Sequence, residues 1–279
     1  MQFFAWDKAQ HPVSARHALK QKNYLCPECA LPVRVRSGPH RQPHFFHLER
    51  RSICRQNQKS QEHLQTQCYL MTLLPEGQCC MERPFPSVQR IADITWESER
   101  IVFEVQCSPL SLQEAEQRCA DYRAAGFEIV WILHEKTFNR KRMSAAESWL
   151  RKNPCYFTNI SKEGKGRIYD QYDIDRGAIR SFKGPPLEVN LSLPKRKLPL
   201  ARSSLPKELQ HRIFHWPLFF QGDLLDRWLN EPNTKESTLH LLQIEQRYQS
   251  PKKAKLSFLF SFRRKYSLLL KALLKKLAA

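Results

Sequence analysis

Residues 93–106 read DITWESERIVFEVQ, and this stretch decides the fold that we predict for the chain. Inward and outward positions alternate on both sides of the short polar segment 97–100, which is the pattern of two half-buried strands joined by a turn. A symmetric hairpin about this turn pairs Asp93 with Glu104. Gln106 follows Glu104 by two residues and therefore points to the same face of the sheet.

The pairing of Asp93 with Glu104 predicts a binding site for a divalent cation. Directly opposed residues have Cβ atoms about 4.5–5.5 Å apart, so the two carboxylates repel each other, and burial strengthens the repulsion. A cation between them would remove this conflict, and hard oxygen ligands of this kind suit Mg²⁺ or Mn²⁺. The alternative is an ordinary amphipathic hairpin whose two acids happen to face each other.

The two acids and the glutamine resemble the metal-binding motif of the PD-(D/E)xK nuclease superfamily, where a lysine usually stands at the position of Gln106. The run EVQCSPLS at 104–111, followed by Arg118 and Tyr122, is more closely similar to the competence protein CoiA family. The resemblance implies that the two acids bind the metal and that Gln106 orients the attacking water. Glutamine cannot carry a positive charge to the transition state as that lysine would.

The resemblance also implies two further site residues, on the helices that flank the hairpin. Glu62, in a Glu-His-Leu sequence similar to that of CoiA-like proteins, would add an acid to the metal site, and Arg118 would hold a phosphate. The alternative for Glu62 is stabilisation of its own helix through the helix dipole. The alternative for Arg118 is a surface ion pair with Glu114, four residues earlier.

The order of the predicted elements indicates an α/β protein with three parts. A helix is predicted from Ser60 to Leu74, where Leu64, Cys68, Met71 and Leu74 recur at helical spacing. A strand, the hairpin, a helix that starts at a Ser111–Glu114 capping box, and an apolar strand near 127–133 then fit a restriction-endonuclease-like core at residues 59–152. A zinc-ribbon-like module is predicted at residues 1–58. A basic C-terminal region, mostly helical, is predicted at residues 153–279, and the frequent prolines of residues 183–217 predict a linker or an irregular loop within it.

The N-terminal module carries a candidate zinc site. The turn Cys26-Pro-Glu-Cys29 brings two thiolates together, and His44-x-x-His47 follows on the returning chain, so a Cys₂His₂ site is the simplest prediction. CoiA-like proteins have a similar N-terminal segment. Two alternatives stay open: Cys54 could replace His44, or the module could be a metal-free ribbon held by its aromatic residues.

The charge of the chain indicates a polyanionic partner. The formal net charge is +19, from 46 lysines and arginines and 27 acids, which favours nucleic acid first and an anionic membrane surface second. Arg34, Arg36 and Arg41 are candidate DNA-binding residues because guanidinium groups bind phosphate well. Residues 252–279 contain nine basic residues and no acid. They predict a basic amphipathic helix that could bind DNA, a membrane surface or a partner groove, or pack on its own domain.

The compartment and the function follow from these features. No signal peptide is recognisable, and no run of about 18 apolar residues predicts a transmembrane helix, so we expect a cytoplasmic protein. The resemblance implies a metal-dependent deoxyribonuclease that promotes recombination of incoming DNA during transformation, with recombination proteins as further partners. The alternative is a non-catalytic DNA-binding recombination mediator with a degenerate nuclease fold.

Overall fold

The N-terminal part of the protein is a small antiparallel sheet. The computed structural model describes residues 1–39, 41–49, 54, 56, 59–196, 205–232 and 234–249. The first sheet has the strand order β2-β1-β3-β4-β5, with the bounds β1 (Phe4–Trp6), β2 (Pro12–Ser14), β3 (Tyr24–Leu25), β4 (Pro32–Gly38) and β5 (Arg41–His47). Ala5, Val33 and Phe45 are fully buried in its core. This sheet corresponds to the predicted N-terminal module.

A seven-stranded sheet forms the centre of the chain. Its strands lie in the order β12-β11-β10-β9-β8-β7-β6, with β8–β9 and β9–β10 parallel and the other pairs antiparallel. The bounds are β6 (Cys79–Phe85), β7 (Arg90–Trp96), β8 (Ile101–Gln106), β9 (Glu128–His134), β10 (Cys155–Thr158), β11 (Ile168–Arg176) and β12 (Ile179–Glu188). Helices α2 (Leu112–Ala124) and α3 (Ala145–Leu150) make the two parallel crossovers, and α1 (Gln61–Leu73) precedes the sheet. The protein is therefore a mixed α/β structure.

The central hairpin has the predicted register. β7 and β8 pair Trp96 with Ile101, Thr95 with Val102, and Ile94 with Phe103, as expected for a turn at residues 97–100. This aligned pairing ends one residue before the two candidate metal-binding acids, which therefore lie where the strands cease to pair.

Both flanking helices begin at the serines that the sequence indicates. The hydroxyl of Ser60 accepts a hydrogen bond from the backbone N–H of His63, and that of Ser111 accepts one from Glu114. Such N-caps satisfy backbone donors that the first turn of a helix leaves without partners. Leu70 of α1 and Cys119 of α2 belong to two separate hydrophobic clusters of the sheet. The two helices therefore pack on opposite faces of the sheet.

The C-terminal region corrects the predicted domain organisation. Strands β10–β12 extend the central sheet past residue 152, so the predicted boundary at 152/153 falls within that sheet. The region is not mostly helical in its first part, and residues 183–217, expected as a linker, contain regular elements. The remaining elements are β13 (Asn190–Arg196), α4 (Lys207–His215), β14 (Leu218–Gln221), α5 (Leu224–Asn230) and α6 (Thr234–Gln249).

The prolines of this region suggested a linker, but their position explains why they are tolerated. Pro185 and Pro186 are exposed in β12, which is the outermost strand of the sheet. A proline lacks the N–H that a central strand needs, so edge strands accommodate it. Among the helices within the described ranges, none combines the length and the apolar character needed to cross a membrane. The predicted helix at 252–279 lies outside the described residues.

Candidate active site and candidate zinc site

A cleft of about 390 Å³ opens where β7 and β8 cease to pair. Asp93 of β7, with Glu104 and Gln106 of β8, lines this cleft, together with Arg118 of α2. These four residues are all predicted site residues. Lys59, just before the N-cap of α1, lines the same cleft and was not predicted.

Asp93 is buried and is surrounded by hydrogen-bond donors. Its Oδ1 lies 2.9 Å from Nζ of Lys59, 3.0 Å from Nε2 of His63 and 3.0 Å from Nε2 of Gln67. Its Oδ2 accepts a 2.9 Å hydrogen bond from the backbone N–H of Val105. Although burial opposes ionisation, His63 and Lys59 hold the pKa of Asp93 well below its ordinary value. Asp93 is therefore an ionised carboxylate inside the protein.

Lys59 bridges two carboxylates of the central sheet, one of which also bonds the N-terminal sheet. Its Nζ lies 3.1 Å from Oε1 of Glu82 on β6, in addition to its contact with Asp93. The Oε2 atom of Glu82 accepts hydrogen bonds from the backbone N–H groups of Phe3 and Phe4, at 2.8 and 3.0 Å. Burial favours the neutral amine, but the two acids together raise the pKa of Lys59 above its ordinary value. Lys59 is therefore a buried cation next to the candidate metal site.

Glu104 has a separate set of partners on α2. Its Oε2 accepts a 3.0 Å hydrogen bond from Arg118, and its Oε1 accepts one of 2.7 Å from the hydroxyl of Tyr122. Arg118 also bonds Glu114 at 2.8 Å, which is the predicted ion pair, although the arginine lines the cleft rather than the surface. The pKa of Glu104 is raised above its ordinary value by burial and by the charge of Asp93, and Arg118 opposes part of this rise. The repulsion expected between the two acids is thus partly offset by the cations of the protein.

Two other predicted residues make contacts away from the acids. The amide of Gln106 donates to the carbonyl and the hydroxyl of Ser108, at 2.7 and 3.1 Å. The carboxylate of Glu62 lies 3.5 Å from Nζ of Lys136. It is the next residue, His63, that contacts Asp93.

The sequence reasoning missed the α1 residues that face the acids. Leu64 is buried as the apolar spacing predicts, whereas Cys68 is only partly buried, and the helix also buries His63, Gln67 and Leu70. These recur at helical spacing too, yet two of them are polar. A stripe that includes polar residues gives a weak hydrophobic periodicity, so only a search for polar residues at helical spacing could have found them.

The N-terminal sheet contains a second candidate site, which could hold a zinc ion. The ligand atoms of Cys26, Cys29, His47 and Cys54 all lie within 4.8 Å of one another. The Sγ atoms of Cys26 and Cys54 are 3.7 Å apart, and Sγ of Cys29 is 3.2 Å from Nε2 of His47. A tetrahedral zinc ion with bonds of about 2.3 Å places sulfur ligands about 3.8 Å apart. The cluster therefore has a geometry close to that of a structural zinc site.

The structure changes one member of the predicted ligand set. His44 and His47 lie on the same strand, β5, three residues apart, so their side chains point to opposite faces of the sheet. Nδ1 of His44 lies 2.8 Å from the carbonyl oxygen of Gln42, and His44 does not belong to the cluster. Cys54 takes its place, which is the alternative that the sequence left open.

The chemistry of the cluster fits zinc. Burial raises the pKa of the Cys26 and Cys54 thiols and lowers the pKa of His47. A bound zinc ion stabilises thiolates and neutral imidazole, so it reverses the effect of burial on the cysteines and agrees with the effect on the histidine. The four residues would then join the turn at 26–29, the end of β5 and residue 54.

The candidate DNA-binding arginines of β4 share one face of the N-terminal sheet. Arg34 donates two hydrogen bonds to Oδ1 of Asn23, at 3.0 and 2.7 Å. The guanidinium of Arg36 lies 4.3 Å from the ring centre of Phe46. Arg41 is the first residue of β5, and its side chain lies outside the described part.

Comparison with known families agrees with this architecture. The family model "Competence protein CoiA, N-terminal domain" matches residues 8–57, and "Competence protein CoiA, nuclease-like domain" matches residues 59–169. No curated protein and no solved structure is similar enough to the chain to give a match. The two family models together span more than half of the chain, with the first over the candidate zinc site and the second over the cleft. The chain belongs to the competence protein CoiA family.

Proposed function

We propose that the protein is a metal-dependent deoxyribonuclease that acts in the cytoplasm and promotes recombination of incoming DNA during transformation. The observation that carries the proposal is one cleft with two buried carboxylates, Asp93 and Glu104, beside Arg118. The family match to a nuclease-like domain supports it. We further propose that the sheet around this cleft is a restriction-endonuclease-like core.

The oxygen ligands that the cleft offers suit a hard cation. Carboxylate oxygens suit Mg²⁺ and Mn²⁺, and such ions commonly use one or two carboxylates together with substrate phosphates. Glu104 accepts two of about four possible hydrogen bonds. Gln67, which donates to Asp93 from α1, has a buried amide oxygen, Oε1, with no hydrogen-bond partner among the described residues.

Each residue of the cleft has a role in this proposal. Asp93 and Glu104 would hold the metal, with Glu62 as a further candidate acid on α1. The bound metal would polarise the scissile phosphate and lower the pKa of a water molecule. Arg118 would donate to a phosphate oxygen, and Gln106 would orient the water through its amide.

The N-terminal module would contribute DNA binding and a structural zinc ion. Cys26, Cys29, His47 and Cys54 would hold the zinc. Arg34, Arg36 and Arg41 would contact phosphates, and the net charge of +19 favours such contacts. Recombination proteins are further candidate partners, and the basic segment 252–279 could also contact a membrane surface.

The nuclease proposal is tested with end-labelled single-stranded and double-stranded DNA, purified protein, and Mg²⁺ or Mn²⁺. We expect metal-dependent cleavage by the parent protein and a loss of about 100-fold or more in Asp93→Asn and Glu104→Gln. Glu97→Gln is the matched control, because Glu97 is an acid of the same hairpin that lies at the turn and pairs with Arg83. Cleavage that continues unchanged in both acid variants would contradict the proposal.

A second function is favoured by one observation, the identity of residue 106. Gln106 cannot bring a positive charge to the transition state, and its amide is bonded to Ser108. We therefore retain a non-catalytic DNA-binding recombination mediator as the second candidate. It requires DNA binding by the parent without cleavage, and binding that persists in Asp93→Asn.

A further inference from the structure

The Oδ1 atom of Asp93 is crowded with hydrogen-bond donors. An ionised carboxylate offers about four lone-pair positions, two on each oxygen. Lys59, His63 and Gln67 bond Oδ1, and the backbone N–H of Val105 bonds Oδ2. A metal ion can therefore reach Oδ1 only if one of these donors leaves, and at Oδ2 it meets the positive charge of Lys59 on the same carboxylate.

The four donors differ in how easily they can move. The N–H of Val105 belongs to the backbone of a buried strand. His63 and Gln67 are buried on the face of α1 that packs against the sheet. Lys59 precedes that helix, and its ammonium sits on a flexible four-carbon chain. It also has a second carboxylate, Glu82, already within 3.1 Å.

The charge of Lys59 also makes it the hydrogen-bond donor that a metal ion would displace from Asp93. Lys59 brings a full positive charge to Oδ1, so it repels any cation that approaches the same oxygen. Glu82, which would receive the ammonium, is held in place by two backbone N–H groups, those of Phe3 and Phe4. The displaced lysine would thus keep a fixed buried partner.

We propose that Lys59 is the resident counter-ion of Asp93, which neutralises this carboxylate in the metal-free protein and competes with a divalent cation for it. Metal binding moves the ammonium from Asp93 towards Glu82. The inference rests on the proposed function, because it requires that Asp93 takes part in a divalent-cation site. Lys59 is a positioning residue in this account, and it need not touch DNA.

Removal of the Lys59 side-chain charge should then have opposite effects on metal affinity and on the stability of the metal-free protein. Without Lys59, Asp93 loses a competitor, so a divalent cation binds more tightly. The metal-free protein loses the cation that bridges two buried acids, so it becomes less stable. A lysine with a purely structural role would lower stability without raising metal affinity.

The test measures Mn²⁺ binding by titration calorimetry on zinc-loaded protein without DNA. Mn²⁺ is suitable because thiolate sites favour zinc strongly over Mn²⁺. We expect Lys59→Gln to bind Mn²⁺ about 10-fold more tightly than the parent and to melt at a lower temperature without Mn²⁺. Lys59→Arg, which keeps the charge, should keep the weak binding of the parent.

The control is Lys195→Gln, because Lys195 pairs with Asp226 and neither of these residues lines the cleft. Its Mn²⁺ affinity should stay within about two-fold of the parent. Should Lys59→Gln fail to fold, Lys59→Gln/Glu82→Gln carries the same test, because it leaves no unpaired acid at position 82.

The possible outcomes separate this inference from the nuclease proposal. Equal or weaker Mn²⁺ binding in Lys59→Gln overturns the inference, while cleavage by the parent would still support a nuclease. Tighter binding in Lys59→Gln supports the inference even if the parent does not cleave DNA. No Mn²⁺ binding in either protein overturns the inference, and the cleavage assay then decides the nuclease proposal separately, because substrate phosphates can complete a metal site.

Discussion

The backbone N–H of Val105 donates a 2.9 Å hydrogen bond to Oδ2 of Asp93 at the point where the aligned pairing of β7 and β8 ends. The last aligned pair is Ile94 with Phe103. One residue beyond this pair, the side-chain carboxylate of Asp93 accepts a backbone hydrogen bond in the place of a backbone carbonyl. Asp93 therefore holds the end of the hairpin together as well as lining the cleft. Its charge is part of the fold and not only a candidate ligand.

We predict that Asp93→Asn destabilises the metal-free protein. The substitution leaves the Lys59 ammonium with Glu82 as its one carboxylate partner among the described residues, and breaking a buried ion pair costs on the order of 3 kcal/mol. Thermal melts without divalent cations measure the effect. Glu97→Gln, at an acid that is 44% exposed, should cost less than about 1 kcal/mol.

The opposite result would also be informative. An Asp93→Asn variant at least as stable as the parent would mean that repulsion between Asp93 and Glu104 outweighs the contacts with Lys59 and His63. That outcome is the one that the hairpin pattern alone suggests.

We predict about one zinc ion per chain in the purified protein. Cys26→Ser and Cys54→Ser should each lose most of it, because each removes one of four clustered ligands. His44→Asn is the control, and it should retain zinc, because His44 points to the other face of β5 from His47. Elemental analysis of the purified variants gives the result. Zinc that depends on His44 and not on Cys54 would favour the original Cys₂His₂ prediction.

The hairpin and the starts of its flanking helices were predictable from the sequence. Alternation over 93–106 fixed the register, since a side-chain period of two allows one pairing for a given turn. Ser60 and Ser111 marked the helix starts, because their hydroxyls cap the first turn. These signals are local, and they need no knowledge of distant contacts.

The contacts of the acids were not predictable in the same way. Lys59 meets Asp93 and Glu82 only after three separate elements come together, and no local pattern records that meeting. The prediction of His44 as a zinc ligand was wrong for a simpler reason. A separation of three residues places His44 and His47 on one face of a helix but on opposite faces of a strand, and the structure has a strand there.

We predict that Asp223 makes stability fall as the pH rises through the weakly acidic range. Burial and the charge of Asp170 raise the pKa of Asp223 to about 6, whereas an unfolded aspartate has a pKa of about 3.9. The folded protein therefore holds the proton more tightly than the unfolded chain. Stability is greatest below the unfolded pKa and decreases up to the folded one, by about 3 kcal/mol at most.

Urea unfolding between pH 4.5 and 7.5 tests whether the free energy of unfolding decreases as the pH rises. Asp223→Asn should gain stability relative to the parent as the pH rises, since the amide does not ionise. Asp7→Asn is the control, because the backbone N–H of His11 lowers the pKa of Asp7, so this residue titrates below the tested range. A constant difference between the parent and Asp223→Asn would contradict the prediction.

We predict that the protein binds DNA with little sequence preference and with a steep dependence on salt. Each phosphate contact releases counter-ions, so log K falls linearly with log salt concentration, and removing one contact reduces the slope by about one. Arg36→Gln should weaken binding to all sequences alike and reduce the slope by about this amount, because Arg36 is exposed on β4. Fluorescence anisotropy with labelled oligonucleotides at several salt concentrations gives the slope.

The control for this measurement removes the same charge elsewhere. Arg176 is exposed at the end of β11, near the edge of the central sheet opposite β6. If the N-terminal sheet is the DNA-binding surface, Arg176→Gln leaves the slope unchanged while Arg36→Gln reduces it. Equal reductions in both variants would mean that net charge alone drives binding, because a diffuse attraction does not distinguish two surface arginines. If the affinity of the parent protein for DNA does not change as the salt concentration rises several-fold, DNA binding has no electrostatic basis.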